Sequence, residues 1–332
     1  MSDSNGASSS RDQVIAELAG GTRFVLATHE HPDGDALGSL SAMQQVLLAL
    51  GKDAVSYMSP DEFPLSYEYR WLTLPNLVRE PPADLADRTI VFLDCGNIDR
   101  NPADAFKREG AHIVNIDHHH DNTRFGTVNH VVSDASCTAE IVWDLAKGLG
   151  VPLTREMAEA LYVGLVTDTG KFMYENTGPR AHLMAAELID AGVDVHTVYR
   201  RLFEGLPPGK LDLLARGLSN IRRFDDGLVT VTALHRHDYE RAGADESFSE
   251  GVVDHLRAME GTAVAGLVRE RMTDHDKGRF KVSLRAADDR VDVSRIARAL
   301  GGGGHRRAAG ATTDLELDEL VDFIRRAVAD QL

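Results

Sequence analysis

Short apolar runs that end on a polar turn organise the first part of the chain. Residues 24–28, FVLAT, give way to a polar turn and then to a helical pattern at Leu37, Leu40, Met43, Leu47 and Leu50, which predicts a strand–loop–helix unit. Further strands are expected in DAVSYM from residue 53, in RTIVFLD ending at Asp94 and in HIVNID ending at Asp117. The segments between them are long enough for crossovers, so a mostly parallel sheet follows. Helical periodicity then dominates, in TAEIVWDLAKGL from 138, TREMAEALYVGLV from 154 and PRAHLMAAELIDAG from 179, the last stopped by Gly192.

Gly and Pro concentrate in GLPPGK, residues 205–210, beside further helical sequence, and read as the start of an interdomain connection. Strand patterns return beyond residue 224 in LVTVTALH, AVAGLVRERM and RFKVSLRA, interleaved with helices near 249–259 and 292–300. The chain closes with a glycine run, a short strand near 308–313 and an amphipathic helix carrying Leu320, Phe323, Ile324 and Val328. The expected organisation is α/β: a disordered tail over 1–20, a larger domain with a mostly parallel sheet over 21–192, a helical linker over 193–223, and a smaller α/β domain over 224–332. The active site is expected in the cleft between the two domains.

Composition narrows the function classes. A length of 332 residues suits two domains of unequal size. No run approaches the ~18 apolar residues of a membrane helix, so no membrane partner is expected. The start, MSDSNGASSS, lacks the basic and apolar regions of a secretory signal. Cys95 and Cys137 are too few for a disulfide framework, which points to a reduced cytoplasm, and both read as buried small hydrophobes. A net charge of −16 opposes binding to long duplexes, whose affinity comes mainly from Lys and Arg neutralising phosphates. A short polyphosphate substrate remains compatible where metals and a few arginines supply local positive charge.

The candidate chemistry lies at strand ends. THEHPDGDALGS puts His29, Asp33 and Asp35 just past the first strand, where open α/β sheets bind ligands. Pro32 and Gly34 make a turn that lets the two carboxylates converge, although acidic residues at a helix N-terminus are also stabilising in themselves. Asp94 ends TIVFLD, and Asp117, His118, His119 and His120 end HIVNID and follow it. Asp168, in GLVTDTGKF, leaves a helix at a Thr-Gly turn. Together these residues offer ligands for two divalent ions with one carboxylate bridging, as two-metal phosphoryl transfer requires. Ordinary caps and a one-metal site are the alternatives. The cysteine count rules out Cys-rich structural zinc.

These motifs resemble the DHH phosphoesterase superfamily, and its DHH-DHHA1 branch in particular: HEHPDGDALGS, FLDCGN, IDHHHDN, TDTGKF and, late in the chain, SLRA and GGGGHRRAAG, in order from about residue 22 to 315. The wording and compact length resemble the nanoRNase and pAp phosphatase group, which overlaps with phosphodiesterases of cyclic di-AMP and pApA. The resemblance implies that His29, Asp33 and Asp94 hold one ion and that Asp35, Asp94, His118 and Asp168 hold the other, with Mn²⁺ expected and Mg²⁺ or Co²⁺ as alternatives. It implies that Asp117 orients the ligand imidazoles and that His119 contacts the substrate phosphate or a metal-bound water rather than binding metal itself. His120 departs from the pattern and reads as a surface histidine. Substrate contacts are implied for Arg285, Gly303, Gly304, His305 and Arg306, since glycines let backbone amides approach an anion. Arg269 and Arg271 are weaker candidates for the same role, since arginines that alternate on a strand more often face water.

The expected activity is therefore metal-dependent exoribonuclease cleavage of short oligoribonucleotides to nucleoside monophosphates, of pAp to AMP, or both, with cyclic di-AMP or pApA hydrolysis as the alternative and a homodimer compatible with either. A single-strand DNA exonuclease of the RecJ kind is typically longer, and an inorganic pyrophosphatase carries a different second domain. A catalytically silent nucleotide sensor would keep the fold without turnover.

Overall fold

The computed structural model describes residues 4–272, 278–304 and 306–332. They form two units, Met1–Glu204 and Gly205–Leu332.

The first unit runs α1 (Ser4–Gly20), β1 (Arg23–Ala27), α2 (Gly34–Ala49), β2 (Asp53–Tyr57), β3 (Leu77–Val78), β4 (Thr89–Leu93), β5 (Ile113–Asp117), β6 (Val128–Val131), α3 (Thr138–Gly148), α4 (Arg155–Asp168), α5 (Pro179–Asp190) and α6 (Val195–Phe203). Its six strands are all parallel, in the order β3-β2-β1-β4-β5-β6. Strands buried on both faces read as continuous apolar runs, and FVLA and IVFL do so because helices cover one face and a second core around Phe92, Phe106 and Tyr57 fills the other. The order puts β1, β4 and β5 side by side, so their carboxyl ends line one stretch of the sheet edge.

Two expectations change here. The tail expected to be disordered over 1–20 is helical from Ser4, with Val14 and Leu18 fully buried and Glu17 paired to His112 at 2.9 Å. Ser and Gly argue locally against a helix, but packing of a short apolar stripe outweighs propensity. The linker over 193–223 is helical, yet it is not a separate segment. Val198 and Leu202 of α6 join the first unit's core, and the boundary falls at Gly205, a left-handed residue with φ 68°.

The second unit runs α7 (Pro208–Ser219), β7 (Arg222–Phe224), β8 (Val229–Leu234), α8 (Arg236–Ala242), α9 (Val252–Arg257), β9 (Val264–Glu270), β10 (Phe280–Ala286), α10 (Val293–Ala299), β11 (Gly303–Gly304), β12 (Ala308–Thr313) and α11 (Leu317–Ala329). Its sheet is mixed, in the order β11-β12-β10-β9-β8-β7, with β8 and β9 parallel and the other pairs antiparallel. Alternation along β10 sends Val282 and Leu284 into a core with α10 and α11. Lys281, Ser283 and Arg285 take the opposite face. No helix among the described residues is long and apolar enough to cross a membrane.

Candidate metal centre

Neighbouring strand ends bring the predicted residues of the first unit together. Asp33 caps α2, its Oδ1 accepting the amides of Asp35 at 3.0 Å and Ala36 at 3.1 Å, so the helix-cap reading of this residue holds as well. A carboxylate oxygen of Asp33 also groups with a ring nitrogen of His29 and a carboxylate oxygen of Asp94, all within 4.8 Å of one another. Asp35, His118 and Asp168 form a second such group, and Asp94, His118 and His119 a third. Asp94 lies in the middle: its carboxylate oxygens are 3.6 Å from His29 Nε2 and 3.6 Å from His118 Nε2. His118 Nε2 is also 3.8 Å from Asp168 Oδ2.

Close helix packing makes this convergence feasible. A Cβ on Gly34 would stand 2.4 Å from Thr167 Oγ1, and one on Gly164 would stand 2.7 Å from Asp35 Oδ1. The missing side chains therefore let the start of α2 approach the end of α4, which carries Asp168. Beyond Asp168 the chain turns through three consecutive left-handed residues, Gly170, Lys171 and Phe172, the local geometry of the Thr-Gly turn seen in the sequence.

Electrostatics sets the cluster apart from a set of caps. Burial, together with the charges of Asp94 and Asp168, pushes the Asp35 carboxyl well above its usual range. Burial also lifts Asp168 to about 7, against the pull of His118 and with help from Asp33 and Asp94. Asp94 goes the other way. Burial opposes its ionisation, but the hydrogen bond with His29 and the charges of His119 and His118 hold it below the ordinary carboxylate range. Burial disfavours charge on His118, yet Asp168, Asp94 and Asp35 raise it to about 9. A divalent cation among these groups would relieve the crowding of carboxylates. The donors fit one: His29 Nδ1 lies 2.7 Å from Glu30 O, so in the tautomer that donates there the Nε2 lone pair would be available to an ion. Mixed imidazole and carboxylate donors suit a borderline first-row ion.

Several residues that sequence reasoning missed hold this arrangement. The amides of Thr138 and Ala139, opening α3, donate to the two oxygens of Asp35 at 2.7 and 2.9 Å, and the Thr138 hydroxyl donates to Asp94 Oδ1 at 3.0 Å. One helix start thus orients two carboxylates. Asn176 donates to Asp168 Oδ2 at 3.2 Å and to Ser136 O at 2.8 Å. Asp117, fully buried, accepts from His119 Nδ1 at 2.7 Å, from the His118 amide at 2.8 Å and from Asn122 Nδ2 at 2.5 Å. Its side chain therefore orients His119 directly and accepts from the backbone amide of His118. Asn122 was visible in IDHHHDN, and Thr138 opened the helix of TAEIV, but only tertiary contacts reveal their partners. Thr138→Val should weaken metal affinity or turnover by roughly 10- to 100-fold, the usual scale for such supporting contacts, while Thr138→Ser should retain most of both. Equal behaviour of the two variants in metal titration and in kcat would remove the hydroxyl from this role.

His120 is exposed, as the surface reading expected. Cys95 and Cys137 are both fully buried, and burial raises both thiols, Cys95 to about 12. Neither is poised as a nucleophile.

Profiles of known families match both units: the DHH family, N-terminal domain, over residues 23–165 and the DHHA1 domain over 227–330. The chain is 37% identical over 312 residues, 92% of its length and 89% of the relative's, to the bifunctional oligoribonuclease and PAP phosphatase NrnA of Thermus thermophilus. The chain belongs to the DHH–DHHA1 family. The protein of the same name in Bacillus subtilis is 25% identical over 91% of this chain and 93% of its own. The cyclic-di-AMP phosphodiesterase GdpP of Bacillus subtilis is 26% identical over 95% of this chain but only 48% of its own. Among solved structures, an exopolyphosphatase-related protein from Bacteroides fragilis has the same fold, with a TM-score of 0.84 at 23% identity over 97% of this chain and 96% of that one.

In the DHHA1 unit the glycine run is ordered backbone. Gly303 and Gly304 pair as β11 with Gly310 and Ala309, and a Cβ on Gly304, whose φ is 130°, would come within 2.6 Å of Ala308 O. Arg285, on β10, lies opposite Ala308 on the other side of β12. Its Nε is 3.7 Å from Asp254 Oδ1. Arg306 is exposed and donates to Asp289 O. His305 lies outside the described residues. The reading of Arg269 as facing water is overturned: its side chain is 3% exposed and donates to Ser249, Glu250 and Ser283.

Proposed function

We propose that this DHH–DHHA1 protein is a two-metal phosphoesterase that cleaves short oligoribonucleotides to nucleoside monophosphates and converts pAp to AMP. The observation that carries the proposal is the set of three overlapping His/Asp groups, two sharing Asp94 and two sharing His118, on a chain that matches an oligoribonuclease and PAP phosphatase along nearly its whole length. His29, Asp33 and Asp94 would hold one ion, and Asp35, Asp94, His118 and Asp168 the other. Bound there, two divalent ions would supply Lewis-acid charge for the phosphate oxygens and lower the pKa of a water so that it can lose a proton and serve as the nucleophile near neutral pH.

The chain's own groups do the rest. Burial disfavours charge on the His119 imidazole, but the hydrogen bond to Asp117 and the Asp94 charge shift its pKa upward, and Nδ1–H is committed to Asp117 at 2.7 Å. In the protonated ring, Nε2–H is the donor that can meet a phosphoryl oxygen or the leaving oxygen. Arg285, the glycines of β11, Arg306 and His305 are proposed to hold substrate groups away from the scissile bond, where binding energy can align the phosphate for attack.

One panel tests this reading: a pentanucleotide, a dinucleotide, pApA, pAp and cyclic di-AMP at equal concentration with Mn²⁺, products resolved by chromatography. Mononucleotides from the linear oligomers and AMP from pAp are the expected products, and Arg285→Ala should reduce kcat/KM for the dinucleotide by at least about tenfold. Preferred hydrolysis of cyclic di-AMP would favour the alternative, and no hydrolysis of any member would leave a silent nucleotide sensor.

A further inference from the structure

The loop that follows Asp94 carries a cation with no role in the chemistry described so far. Ile98–Arg100 forms one 3₁₀ turn, entered through Asn97, whose side chain accepts the Asp99 amide at 3.0 Å. The turn is fastened to the end of β1. Arg100 O accepts the Glu30 amide at 2.7 Å, and the buried Asn101 side chain donates to Thr28 O at 2.7 Å while accepting the Ala103 amide at 3.0 Å. These ties, one on each side of His29, hold the Arg100 guanidinium beside its imidazole, with Nη2 3.1 Å from His29 Nδ1. Burial raises the Cys95 thiol to about 12, and the Arg100 charge pulls against it, so the guanidinium is also felt at the residue after Asp94.

Donor and acceptor counting sets this contact against an ion on His29. A guanidinium only donates, and a carbonyl oxygen only accepts. His29 Nδ1 stands between one of each, with Glu30 O at 2.7 Å and Arg100 Nη2 at 3.1 Å, and can satisfy one of them. An ion on Nε2 needs the lone pair there, which puts the proton on Nδ1 and commits it to Glu30 O. The Arg100 N–H then faces another N–H. Holding His29 in place for an ion therefore cannot be what this side chain does, because the tautomer that accepts from Arg100 has no lone pair on Nε2.

His29 is the only polar partner of the Arg100 side chain among the described residues. With 52 Asp and Glu against 36 Lys and Arg in the chain, a shortage of carboxylates does not explain the missing ion pair. Arg100 is half-buried, and a guanidinium keeps its charge at any ordinary pH, so leaving its donors unmet there is costly. A phosphate brings the acceptors, in a geometry that the planar fork of an arginine matches.

We propose, resting on the phosphoesterase reading above, that Arg100 is a further substrate-contacting residue: with His29 Nε2 committed to an ion, its guanidinium donates to an oxygen of the scissile phosphate. The contact adds a fixed positive charge at the His29 side of the centre.

The test follows Mn²⁺ binding, and AMP binding to the Mn²⁺-loaded protein, by calorimetry on the full chain as wild type, Arg100→Gln and Arg100→Lys. AMP is the product proposed for pAp. Losing a charge-assisted hydrogen bond should weaken AMP binding by roughly 10- to 100-fold in Arg100→Gln. Arg100→Lys, which keeps the charge and loses the fork, should fall between. Mn²⁺ affinity should hold or rise in Arg100→Gln, because a competing donor and a neighbouring positive charge are gone. Melting in chelator should match wild type, since the ties of the turn use the Arg100 backbone and not its side chain. Unchanged AMP affinity would overturn the contact. So would Mn²⁺ affinity or melting temperature that falls along with AMP affinity, which would make Arg100 a support for His29 or for the loop. AMP binding that depends on Arg100 while no substrate is hydrolysed would keep the contact and remove the activity. Hydrolysis of the substrates with AMP binding indifferent to Arg100 would do the reverse.

Discussion

Replacing Asp94 by Asn is expected to abolish phosphate-ester hydrolysis while the chain stays folded. Asp94 is 2% exposed, sits at φ 55° and accepts from the Thr138 hydroxyl. Asn tolerates the left-handed conformation and can still accept that hydrogen bond, so the substitution removes the charge and little else. The lost charge is the one that His29 and His118 share, so both proposed ion sites should weaken together. A loss of at least about 10³-fold in kcat is expected, the scale on which removing one preorganised charge-stabilising group acts, with circular dichroism and melting close to wild type. Asp94→Ala should lose as much activity and add about 1–2 kcal/mol of backbone strain. Activity of Asp94→Asn within about tenfold of wild type would contradict a shared carboxylate.

Metal loading is expected to release protons at neutral pH and to reverse the pH dependence of stability. In the metal-free chain Asp168 titrates at about 7 and His118 at about 9, both above their ordinary values. Groups raised on folding bind more protons in the folded state, so metal-free stability should fall as pH rises from about 6 to 9. A metal needs the same groups deprotonated, so its apparent affinity should rise over that window and fall away below pH 7. Calorimetry of Mn²⁺ binding at pH 7 in buffers of different ionisation enthalpy should show net proton release, and melting scans should show the Mn²⁺-loaded chain gaining on the metal-free chain as pH rises. No buffer dependence, or parallel pH profiles, would contradict the assignment of these groups as ligands.

The reach of the sequence differs between elements. FVLA, IVFL and IVNID were legible as strands because burial on both faces leaves an unbroken apolar run, and the polar residues that stop each run are those gathered at the sheet edge. Strands β3 and β6 escaped notice because two and four residues, half-buried, leave no pattern. Helix α1 was hidden because Ser and Gly argue locally against it and its fully buried apolar stripe, Val14 and Leu18, is short. At the centre, side chains that reach inward from a conspicuous motif were readable. Thr138 and Asn176 were not, since each looks like an ordinary cap or turn residue until the fold puts Asp94 or Asp168 within hydrogen-bond distance. Arg269 was misread because alternation on a strand says which face a side chain takes but not whether helices cover that face.

The most direct test of the account is a titration of chelator-treated protein with Mn²⁺ while dinucleotide hydrolysis and bound metal are followed together. The account predicts no turnover in chelator, two ions bound per chain, and activity that appears in full only as the second ion binds. Full turnover in excess chelator, or activity that saturates with a single bound ion, would contradict it.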